Sequence, residues 1–386
     1  MVDFGSAKGV VVAKLKFGLV GGGHGAFIGQ VHRMAAELDG LAELVCGAFS
    51  SDPVQSRSAG VDIYHLPAAR SYPSFNEMFQ IEQQLPAAQR MDFVVVATPN
   101  HLHFPIAQQA LQSGFHVMCD KPVTFSLHEA LELQRLIQST NLTFALSHNY
   151  TGYAMVREAR ELVRSGALGS IRRVSCEYLQ GWLAQPAAHN KQAQWRTDPT
   201  RAGVAGCFGD IGSHAENLVS YVTGLEIAEL CADLTTFVDG RELDDDGNVL
   251  MRFHGGAKGV ISASQIALGK ENDLRLQVFG TRAGLEWQQG DANTLLVRYA
   301  DNPAAVHRSG GAGTQAKSIS ATRIPAGHPE GYLEAFAQLY KDFCLTLLDD
   351  PAAGDFPTIV DGVRGMRFIE QVVASSNAGG HWLPFD

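Results

Sequence analysis

The sequence predicts an α/β domain built on a doubly wound parallel sheet, followed by a second domain of the α+β class. Three observations lead to this prediction. Short β-branched runs alternate with amphipathic stretches over residues 15–148, as in a parallel sheet with crossover helices. After residue 149 the strand-like runs follow one another too closely for helices to lie between them, which indicates an antiparallel sheet. A glycine-rich turn follows the first predicted strand.

The size of the chain fits two domains. It has 386 residues, more than one hydrophobic core usually organises, and 45% of them are apolar. We assign residues 1–148 to the first domain and residues 149–386 to the second. Within the first, residues 1–14 are expected to be a leader, because their apolar patch is too short for a membrane span and no signal-peptide cleavage site follows it.

The charge and the cysteines narrow the kind of protein. The net charge of −10 argues against nucleic acid or an anionic membrane as a partner, because phosphate binding needs a local excess of basic residues. The six cysteines are scattered and form no C-x-x-C pair, which is typical of reduced thiols. We therefore expect a cytoplasmic protein.

The first domain contains five predicted strands and three predicted helices. The strands are short runs rich in β-branched residues, at 16–21, 41–49, 92–97, 115–118 and 143–147. The helices carry apolar residues spaced three and four apart, at 28–38, 104–113 and 127–139.

The second domain is predicted to consist mainly of strands. The strand-like runs lie at 171–179, 229–238, 248–254, 257–265, 274–280, 284–288 and 293–300. Helical periodicity lies at 155–165, 329–347 and 359–377. We expect a long polar loop after residue 179, another loop over 301–320, and a turn at Asp246-Gly247. The acidic run Asp244-Asp245-Asp246 is expected to be a solvated hairpin tip.

The glycine-rich turn predicts a site for the pyrophosphate of a dinucleotide. Gly21, Gly23 and Ala26 satisfy the fingerprint G-x-G-x-x-A between a predicted strand and a predicted helix. Glycines let the backbone turn sharply and approach the phosphates, which bind N–H groups at the start of the helix. Gly25 and Gly29 offer alternative registers. The turn residues expected to contact the cofactor are Gly21, Gly23, Gly25, Ala26, Phe27 and Ile28.

The end of the second strand bears on the choice between NAD and NADP. An acid there would hold the ribose 2′-hydroxyl of NAD, whereas a small residue with a nearby arginine would accept the 2′-phosphate of NADP. Ser50 and Ser51 occupy this position, and Arg57 follows one turn later. Asp52 comes two residues late and is a candidate helix cap. These residues slightly favour NADP, but they do not decide between the two cofactors.

Three further segments combine residues suited to hydride and proton transfer. Thr98-Pro99-Asn100, with His103 soon after, ends one strand, and Asp120-Lys121-Pro122 ends the next. Open parallel sheets bind ligands beyond the carboxyl ends of their strands, so we expect these two segments to meet in one crevice. In the second domain Asp210 and His214 lie four residues apart, on one face if the segment is helical.

This combination of motifs resembles the Gfo/Idh/MocA oxidoreductases, a family named for glucose–fructose oxidoreductase and inositol dehydrogenase. The resemblance runs from Lys16 to about Phe343. It implies a Rossmann domain that binds NAD or NADP, and a second domain with a large, mostly antiparallel open sheet that often mediates homodimer or homotetramer contacts. The implied reaction is hydride transfer at a secondary hydroxyl or ketone of a sugar, a sugar derivative or an inositol. The chain departs from the family pattern in having Asp120 where Glu is usual, and about three extra residues before His32.

The same resemblance implies roles for individual residues. His214 is the expected general acid/base, because the unperturbed pKa of histidine is near neutral. Lys121 is expected to bind the substrate oxygen and the nicotinamide ribose, and Asp210 to bind substrate and hold Lys121 or His214. The further residues expected to contact the cofactor are Thr98, Pro99, Asn100, His103, Asp120, Lys121, Pro122 and Asn149.

Some expectations depend on weaker signals. Trp195 and Arg196 suit a sugar pocket, because an aromatic face packs on C–H surfaces and an arginine donates to hydroxyls, although Trp195 equally suits a loop anchor. His101 and His103 form an H-x-H pair without a nearby third ligand, and we expect no metal. Three alternatives to a simple dehydrogenase stay open. They are a family member that processes glycosides with a bound, recycled cofactor, a catalytically silent dinucleotide-binding regulator, and a biliverdin- or dihydrodiol-type reductase of the same fold.

Overall fold

The computed structural model describes residues 14–186 and 190–385. Its first sheet consists of β1 (Leu15–Gly21), β2 (Ala42–Ala48), β3 (Phe93–Ala97), β4 (His116–Cys119) and β5 (Phe144–Leu146). These strands are parallel and lie in the order β2-β1-β3-β4-β5. The central strand β3 is buried along its whole length, as expected where helices cover a parallel sheet. The predicted doubly wound parallel sheet is confirmed.

Helices connect these strands throughout this described part of the chain. They are α1 (Ile28–Leu38), α2 (Pro53–Asp62), α3 (Phe75–Glu82), α4 (His103–Gln112) and α5 (Leu127–Gln138). Apolar periodicity predicts α1, α4 and α5. The predicted helices do not include α2 or α3, although α3 has apolar residues spaced three and four apart at Phe75, Met78 and Phe79. The polar helix α2 starts because the carboxylate of Asp52 accepts hydrogen bonds from the backbone N–H groups of Val54 and Gln55, both at 2.9 Å. Helix capping, rather than an apolar stripe, marks this helix in the sequence.

The second sheet is large, open and mostly antiparallel, as predicted. Its strands are β6 (Ile171–Leu179), β7 (Ile227–Thr235), β8 (Asp246–Phe253), β9 (Lys258–Ser264), β10 (Asp273–Gly280), β11 (Ala283–Gln288), β12 (Thr294–Tyr299), β13 (Ala305–Arg308) and β14 (Leu383–Pro384). Their order is β13-β12-β11-β10-β6-β9-β8-β7-β14. β6 and β9 pair in parallel, and the other described neighbours pair antiparallel.

The helices of the second half include two that contact the first sheet or its helices. They are α6 (Ala154–Arg164), α7 (Lys191–Arg196), α8 (Pro199–Ala202), α9 (Ser213–Thr223), α10 (Ala316–Ser320), α11 (Tyr332–Leu347) and α12 (Ile359–Asn377), with a π-helical turn at Phe208–Gly212 before α9. α11 packs against α1, and its Phe343 ring meets the Phe93 ring of β3 edge-on at 5.2 Å. α12 contacts both β7 of the second sheet and β5 of the first, so the last part of the chain connects the two sheets.

The structure corrects four predictions about loops and turns. The expected polar loop after residue 179 contains α7, α8 and α9, and the loop expected over 301–320 contains β13 and α10. Asp246-Gly247 begins β8 instead of forming a turn. The predicted solvated tip is wrong because Asp244 and Asp245 are 9% and 1% exposed. Asp244 is buried because its carboxylate accepts backbone hydrogen bonds from Gly206 at 2.6 Å and Phe208 at 2.8 Å.

Candidate active site

The glycine turn joins β1 to α1 at the carboxyl edge of the first sheet. Gly21 has a φ of +97°, and a Cβ there would lie 2.2 Å from the carbonyl oxygen at the end of β3. A Cβ on Gly29, in the first turn of α1, would lie 2.5 Å from the Cα of Gly22. Tyr64 fixes this approach by donating a hydrogen bond of 2.7 Å to the Gly22 carbonyl. Gly29, rather than Ala26, is thus the residue at which helix and strand backbones meet.

The residues between the strand and the helix form an open turn. The N–H of Ala26 donates to the carbonyl of Gly23 at 2.9 Å, and Gly25 has a φ of +74°. Phe27 is 62% exposed, and with Ile28 it lines the main cavity described below. The turn therefore presents backbone and an exposed aromatic ring at the mouth of that cavity.

The end of β2 is organised around the start of α2. The hydroxyl of Ser50 accepts a hydrogen bond of 3.1 Å from the N–H of Asp52, whose own carboxylate caps the helix. Arg57 has a side chain that is 60% exposed and lies 3.7 Å from the Glu77 carboxylate. Ser50, Ser51 and Arg57 are not among the residues that line the main cavity.

Two loops at the carboxyl edge are tied together by a buried histidine. The Nε2 of His103 lies 2.8 Å from the Thr98 carbonyl, and its Nδ1 lies 2.7 Å from the Pro122 carbonyl. Asn100 donates from Nδ2 to the carbonyl of Ala202 at 2.8 Å. The predicted convergence of the Thr98 and Asp120 segments is therefore observed, but the side chains of Asn100 and His103 bind protein backbone.

Lys121 and Asp210 meet at the junction of the two halves. Lys121 follows β4, and its Nζ donates to Asp210 Oδ1 at 2.8 Å and to the Asp210 carbonyl at 2.6 Å. Asp210 lies in the π-helical turn, whose preceding backbone is held by the buried carboxylate of Asp244. A π-helical turn is a frequent feature of functional sites.

The second carboxylate oxygen of Asp210 is also occupied. It accepts from Arg196 Nε at 3.2 Å and from Gln265 Nε2 at 2.9 Å. Burial raises the pKa of Asp210, but the charges of Lys121 and Arg196 more than offset this and hold the pKa well below its usual range. Asp210 is therefore an anion that fixes two cations.

His214 lies beside this ion pair in the first turn of α9. It is 8% exposed, and its Nδ1 lies 3.4 Å from the Nδ1 of His148, which follows β5. Burial lowers the pKa of His214 well below the ordinary histidine value, and the neighbouring charges of Lys121 and His148 act in the same direction. His214 is thus a neutral imidazole at neutral pH, able to accept a proton.

Asp120 anchors the loop that carries Lys121. Its Oδ1 accepts from the backbone N–H of Lys121 at 2.9 Å and from the Ser147 hydroxyl at 2.6 Å. The Nε2 of His32 lies 3.9 Å from Oδ2, and the Nδ1 of His32 lies 2.6 Å from the Tyr340 hydroxyl. Burial raises the pKa of Asp120, but His32 and Lys121 together depress it well below its usual range. The shorter acid at this position still forms a firmly held turn.

A cavity of about 630 Å³ joins these groups. It reaches from Phe27 and Ile28 of the glycine turn to Lys121, Asp210 and His214. Its remaining wall is polar and aromatic, and sequence motifs do not identify most of it. The wall residues beyond the predicted set include Tyr150, Tyr178, Gln180, Trp182, Gln192, Glu271, Asn272 and Gln289.

Several of these additional wall residues form one hydrogen-bonded group. Asn272 accepts from the Tyr178 hydroxyl at 2.7 Å and from Gln180 Nε2 at 2.6 Å, and it donates to Gln289 Oε1 at 3.0 Å. They come from different strand ends of the second sheet, so no local spacing connects them. Their only sequence signal is that they lie at or beside the ends of predicted strands.

The two predicted pocket residues of α7 behave differently. Arg196 lines the cavity, and its guanidinium carbon lies 4.2 Å from the centre of the Trp195 ring. Trp195 supports Arg196 but is not among the lining residues, whereas Trp182 is. The aromatic lining of this side therefore comes from Trp182.

The residues at the carboxyl edge fit a nicotinamide dinucleotide. The Oγ1 of Thr98 and the Nδ2 of Asn149 are buried and have no hydrogen-bond partner in the structure, and Asn149 lines the cavity. A buried donor and hydroxyl without partners suit a polar ligand. The close backbone approaches at Gly21 and Gly29 provide the surface that a pyrophosphate needs.

Metal-binding and membrane-spanning features are absent from the described residues. Within 14–186 and 190–385, no three His, Cys, Asp or Glu side chains are grouped so that they could hold a metal ion. Within the same residues, no helix is long and apolar enough to cross a membrane.

Comparison with known proteins agrees with this geometry. Residues 15–148 match the model of an oxidoreductase family with an NAD-binding Rossmann fold, and residues 156–286 match the GFO/IDH/MocA C-terminal domain. An uncharacterized oxidoreductase of Bacillus subtilis, YfiI, is 30% identical over 97% of this chain and 98% of its own length. The chain belongs to the Gfo/Idh/MocA family of oxidoreductases.

Solved structures of similar Gfo/Idh/MocA proteins align with almost the whole of this chain. An oxidoreductase from Sinorhizobium meliloti is 42% identical, with a TM-score of 0.87 over 96% of this chain and 99% of that one. An inositol dehydrogenase homolog from Azotobacter vinelandii, complexed with NAD+, is 34% identical, with a TM-score of 0.92 over 96% of this chain and 97% of that one. An inositol dehydrogenase homolog from the same organism, complexed with NADH and myo-inositol, has a TM-score of 0.89 at 33% identity over the same shares of the two chains.

Proposed function

We propose that this Gfo/Idh/MocA protein is a dehydrogenase that oxidises a secondary hydroxyl of a neutral sugar or cyclic polyol and reduces the matching ketone in the reverse direction. The observation that carries the proposal is the cluster of Lys121, Asp210 and His214 in a cavity that also borders the glycine turn. This arrangement brings a hydrogen-bond donor and a neutral base to one place. The myo-inositol complex of the Azotobacter vinelandii homolog supports the substrate class.

Each of the three residues has a distinct task in this mechanism. When bound, the dinucleotide supplies the hydride acceptor. His214 takes the hydroxyl proton at Nε2, because its Nδ1 faces His148. Lys121 uses two of its three N–H groups on Asp210, so the third can donate to the substrate oxygen and stabilise the charge that develops there. Asp210 holds the ammonium group in position.

The charges of the cavity favour a neutral substrate. Among the described lining residues the only lysine or arginine side chains are those of Lys121 and Arg196, and both are paired with Asp210. Asp120 and Glu271 add negative charge to the lining. A phosphate or carboxylate would have to compete with Asp210 for its counter-charges, which disfavours binding. The amide groups of Gln180, Asn272 and Gln289 instead suit uncharged hydroxyls.

We propose NAD as the cofactor, although Ser50 and Arg57 in the sequence slightly favour NADP. Arg57 has a carboxylate partner, Glu77, which reduces its attraction for a 2′-phosphate. The NAD+ complex of the Azotobacter vinelandii homolog supports the same choice. Gly21, Gly23, Gly25, Thr98 and Asn149 are the proposed contacts that hold the dinucleotide. The backbone of Pro99 and Pro122 and the loop bonds of Asn100, His103 and Asp120 are proposed to shape its site.

We also propose a homodimer or homotetramer assembled through the open face of the second sheet. The exposed side chains of Leu250 and Phe279 alternate with buried neighbours on β8 and β10 and are 50% and 40% exposed. Apolar side chains on an uncovered sheet face favour association.

We also propose a domain boundary between residues 148 and 149. The separate family matches at 15–148 and 156–286 support this boundary.

The experiment that tests the function supplies purified protein with NAD or NADP and a panel of inositols, aldoses and glycosides, and follows the absorbance of the reduced nicotinamide. Glucose 6-phosphate is included to test the neutral-substrate argument. We expect reduction with NAD and a neutral polyol that His214→Ala abolishes. No turnover, together with a dinucleotide released only on denaturation, would favour the recycled-cofactor or regulatory alternatives.

A further inference from the structure

His148 is a buried histidine that contacts His214, the general base of the proposed mechanism, without lining the cavity. It follows β5, is 3% exposed, and is not among the residues that line the cavity. Its ring crosses the ring of His214 at 83° with the centroids 5.3 Å apart, and the two Nδ1 atoms lie 3.4 Å apart. His148 therefore touches His214 without facing the space in which a substrate would bind.

Contact between two Nδ1 atoms restricts where the protons of the pair can be. One ring must donate and the other accept, so a single proton lies between the two atoms. If His214 donates, its Nε2 is a lone pair and can accept a proton from the cavity. If His148 donates, the neutral His214 carries its proton on Nε2. The tautomer of His148 is thus coupled to whether His214 is ready to act as a base or as an acid.

Resting on the proposed function, we propose that His148 is a relay and positioning residue that accepts the Nδ1 proton of His214 as His214 Nε2 takes the proton of the substrate hydroxyl. The O–H bond of the substrate and the Nδ1–H bond of His214 break, while the Nε2–H bond of His214 and the Nδ1–H bond of His148 form. His148 then loses a proton from its Nε2 to water. The carbinol C–H electron pair leaves as hydride to the oxidised dinucleotide named in the proposed function.

The surroundings of the two histidines support transfer instead of storage of this proton. Burial lowers the pKa of His148 to about 3, against an opposing effect of Asp361 on α12 and with added lowering by Lys121 and Arg364. Asp120, on the loop after β4, also raises the pKa. On the other side, His214 has a pKa lowered by burial as well. Both rings are therefore neutral at neutral pH, and a proton gained by the pair is not retained.

The test compares two histidines, each of which uses its Nδ1 in a hydrogen bond. His148→Asn places an amide where Nδ1 lay and so keeps a hydrogen-bonding group but cannot relay a proton. His116→Asn is the control, because His116 is partly buried and its Nδ1 accepts from the Thr143 N–H at 2.9 Å at the opposite edge of the sheet. We expect kcat to fall about tenfold in His148→Asn, less than the roughly 10²–10⁴-fold of losing an acid–base group itself, with KM nearly unchanged. His116→Asn is expected to leave kcat unaltered.

A second measurement needs no cofactor or substrate. Histidine NMR titration of the full chain is expected to show a higher pKa for His214 in His148→Asn than in the wild type, because His148 lowers that pKa. An unchanged kcat in His148→Asn would overturn the relay even if wild-type turnover establishes the dehydrogenase. If the wild type does not turn over polyols, the proposed function fails, and an unchanged His214 pKa would then overturn the coupling of the pair. His148→Gln replaces His148→Asn if the latter does not fold.

Discussion

Replacing Asp210 by asparagine removes the charge that holds two cations in the cavity. In the wild type, its carboxylate pairs with Lys121 at 2.8 Å and Arg196 at 3.2 Å, and it also accepts from Gln265. The side chains of Asp210, Lys121 and Arg196 are only 16%, 12% and 24% exposed, so water screens them poorly. The amide in the Asp210→Asn variant would turn an N–H donor towards one of the cations.

The cost follows from this burial. Breaking a buried ion pair on one side typically destabilises a protein by about 3–5 kcal/mol. We expect about 3 kcal/mol here, at the low end of that range, because Lys121 keeps its bond to the Asp210 carbonyl and Arg196 keeps its bonds to Gln192. Activity is expected to fall about 100-fold, because Lys121 loses its fixed position.

Asp355→Asn is the matched control. Asp355 also pairs with two arginines, Arg160 at 3.0 Å and Arg164 at 3.8 Å, but its side chain is 52% exposed. An exposed pair contributes up to about 1 kcal/mol. We would measure urea unfolding of the wild type and both variants at neutral pH. If Asp210→Asn costs no more than Asp355→Asn, the reasoning from burial is wrong.

The pH dependence gives an independent check on Asp210. Its folded-state pKa is depressed, so its stabilisation is fully present above the unfolded-state pKa of about 3.9 and is lost as the pH falls below that value. The difference in unfolding free energy between the wild type and Asp210→Asn should therefore shrink below about pH 4. A difference that stays constant there would contradict the charge-based explanation.

Three further outcomes are expected. Gly22→Ala should lower the thermal midpoint more than Gly40→Ala: both have positive φ, of +76° and +71°, but a Cβ at Gly22 meets a tyrosine hydroxyl at 2.6 Å and one at Gly40 meets nothing within 4 Å. In the oxidation direction, His214 must be deprotonated, and its pKa is lowered. The acidic limb of the kcat/KM profile against pH should therefore lie below the ordinary histidine pKa of about 6.5. A limb at or above that value would exclude His214 as the base. Glu77→Gln should improve binding of NADP relative to NAD in a fluorescence titration, because it frees the Arg57 charge; an unchanged ratio would remove Arg57 from the cofactor argument.

Much of the fold follows from local patterns. Strands β1 to β5 are short apolar runs and α1, α4 and α5 carry apolar stripes, so periodicity alone predicts them. The polar helix α2 lacks that signal, and the eight-residue α3 carries it over only two turns, so neither helix is predicted. The same limit explains Asp244: a run of three acids looks solvated in the sequence, but backbone N–H groups far along the chain bind its carboxylate in the interior.

Contiguous motifs in the sequence are enough to identify the glycine turn, the Asp120-Lys121-Pro122 segment and the spacing of Asp210 and His214, because each carries its own chemistry. What surrounds these motifs depends on the tertiary structure. Gln265, Asn272 and His148 come from three distant segments, and their roles depend on distances of a few ångströms to Asp210, Tyr178 and His214. Such distances arise from the packing of α11 on α1 and of α12 on both β5 and β7. No local periodicity encodes them, since they depend on contacts between residues far apart in the chain.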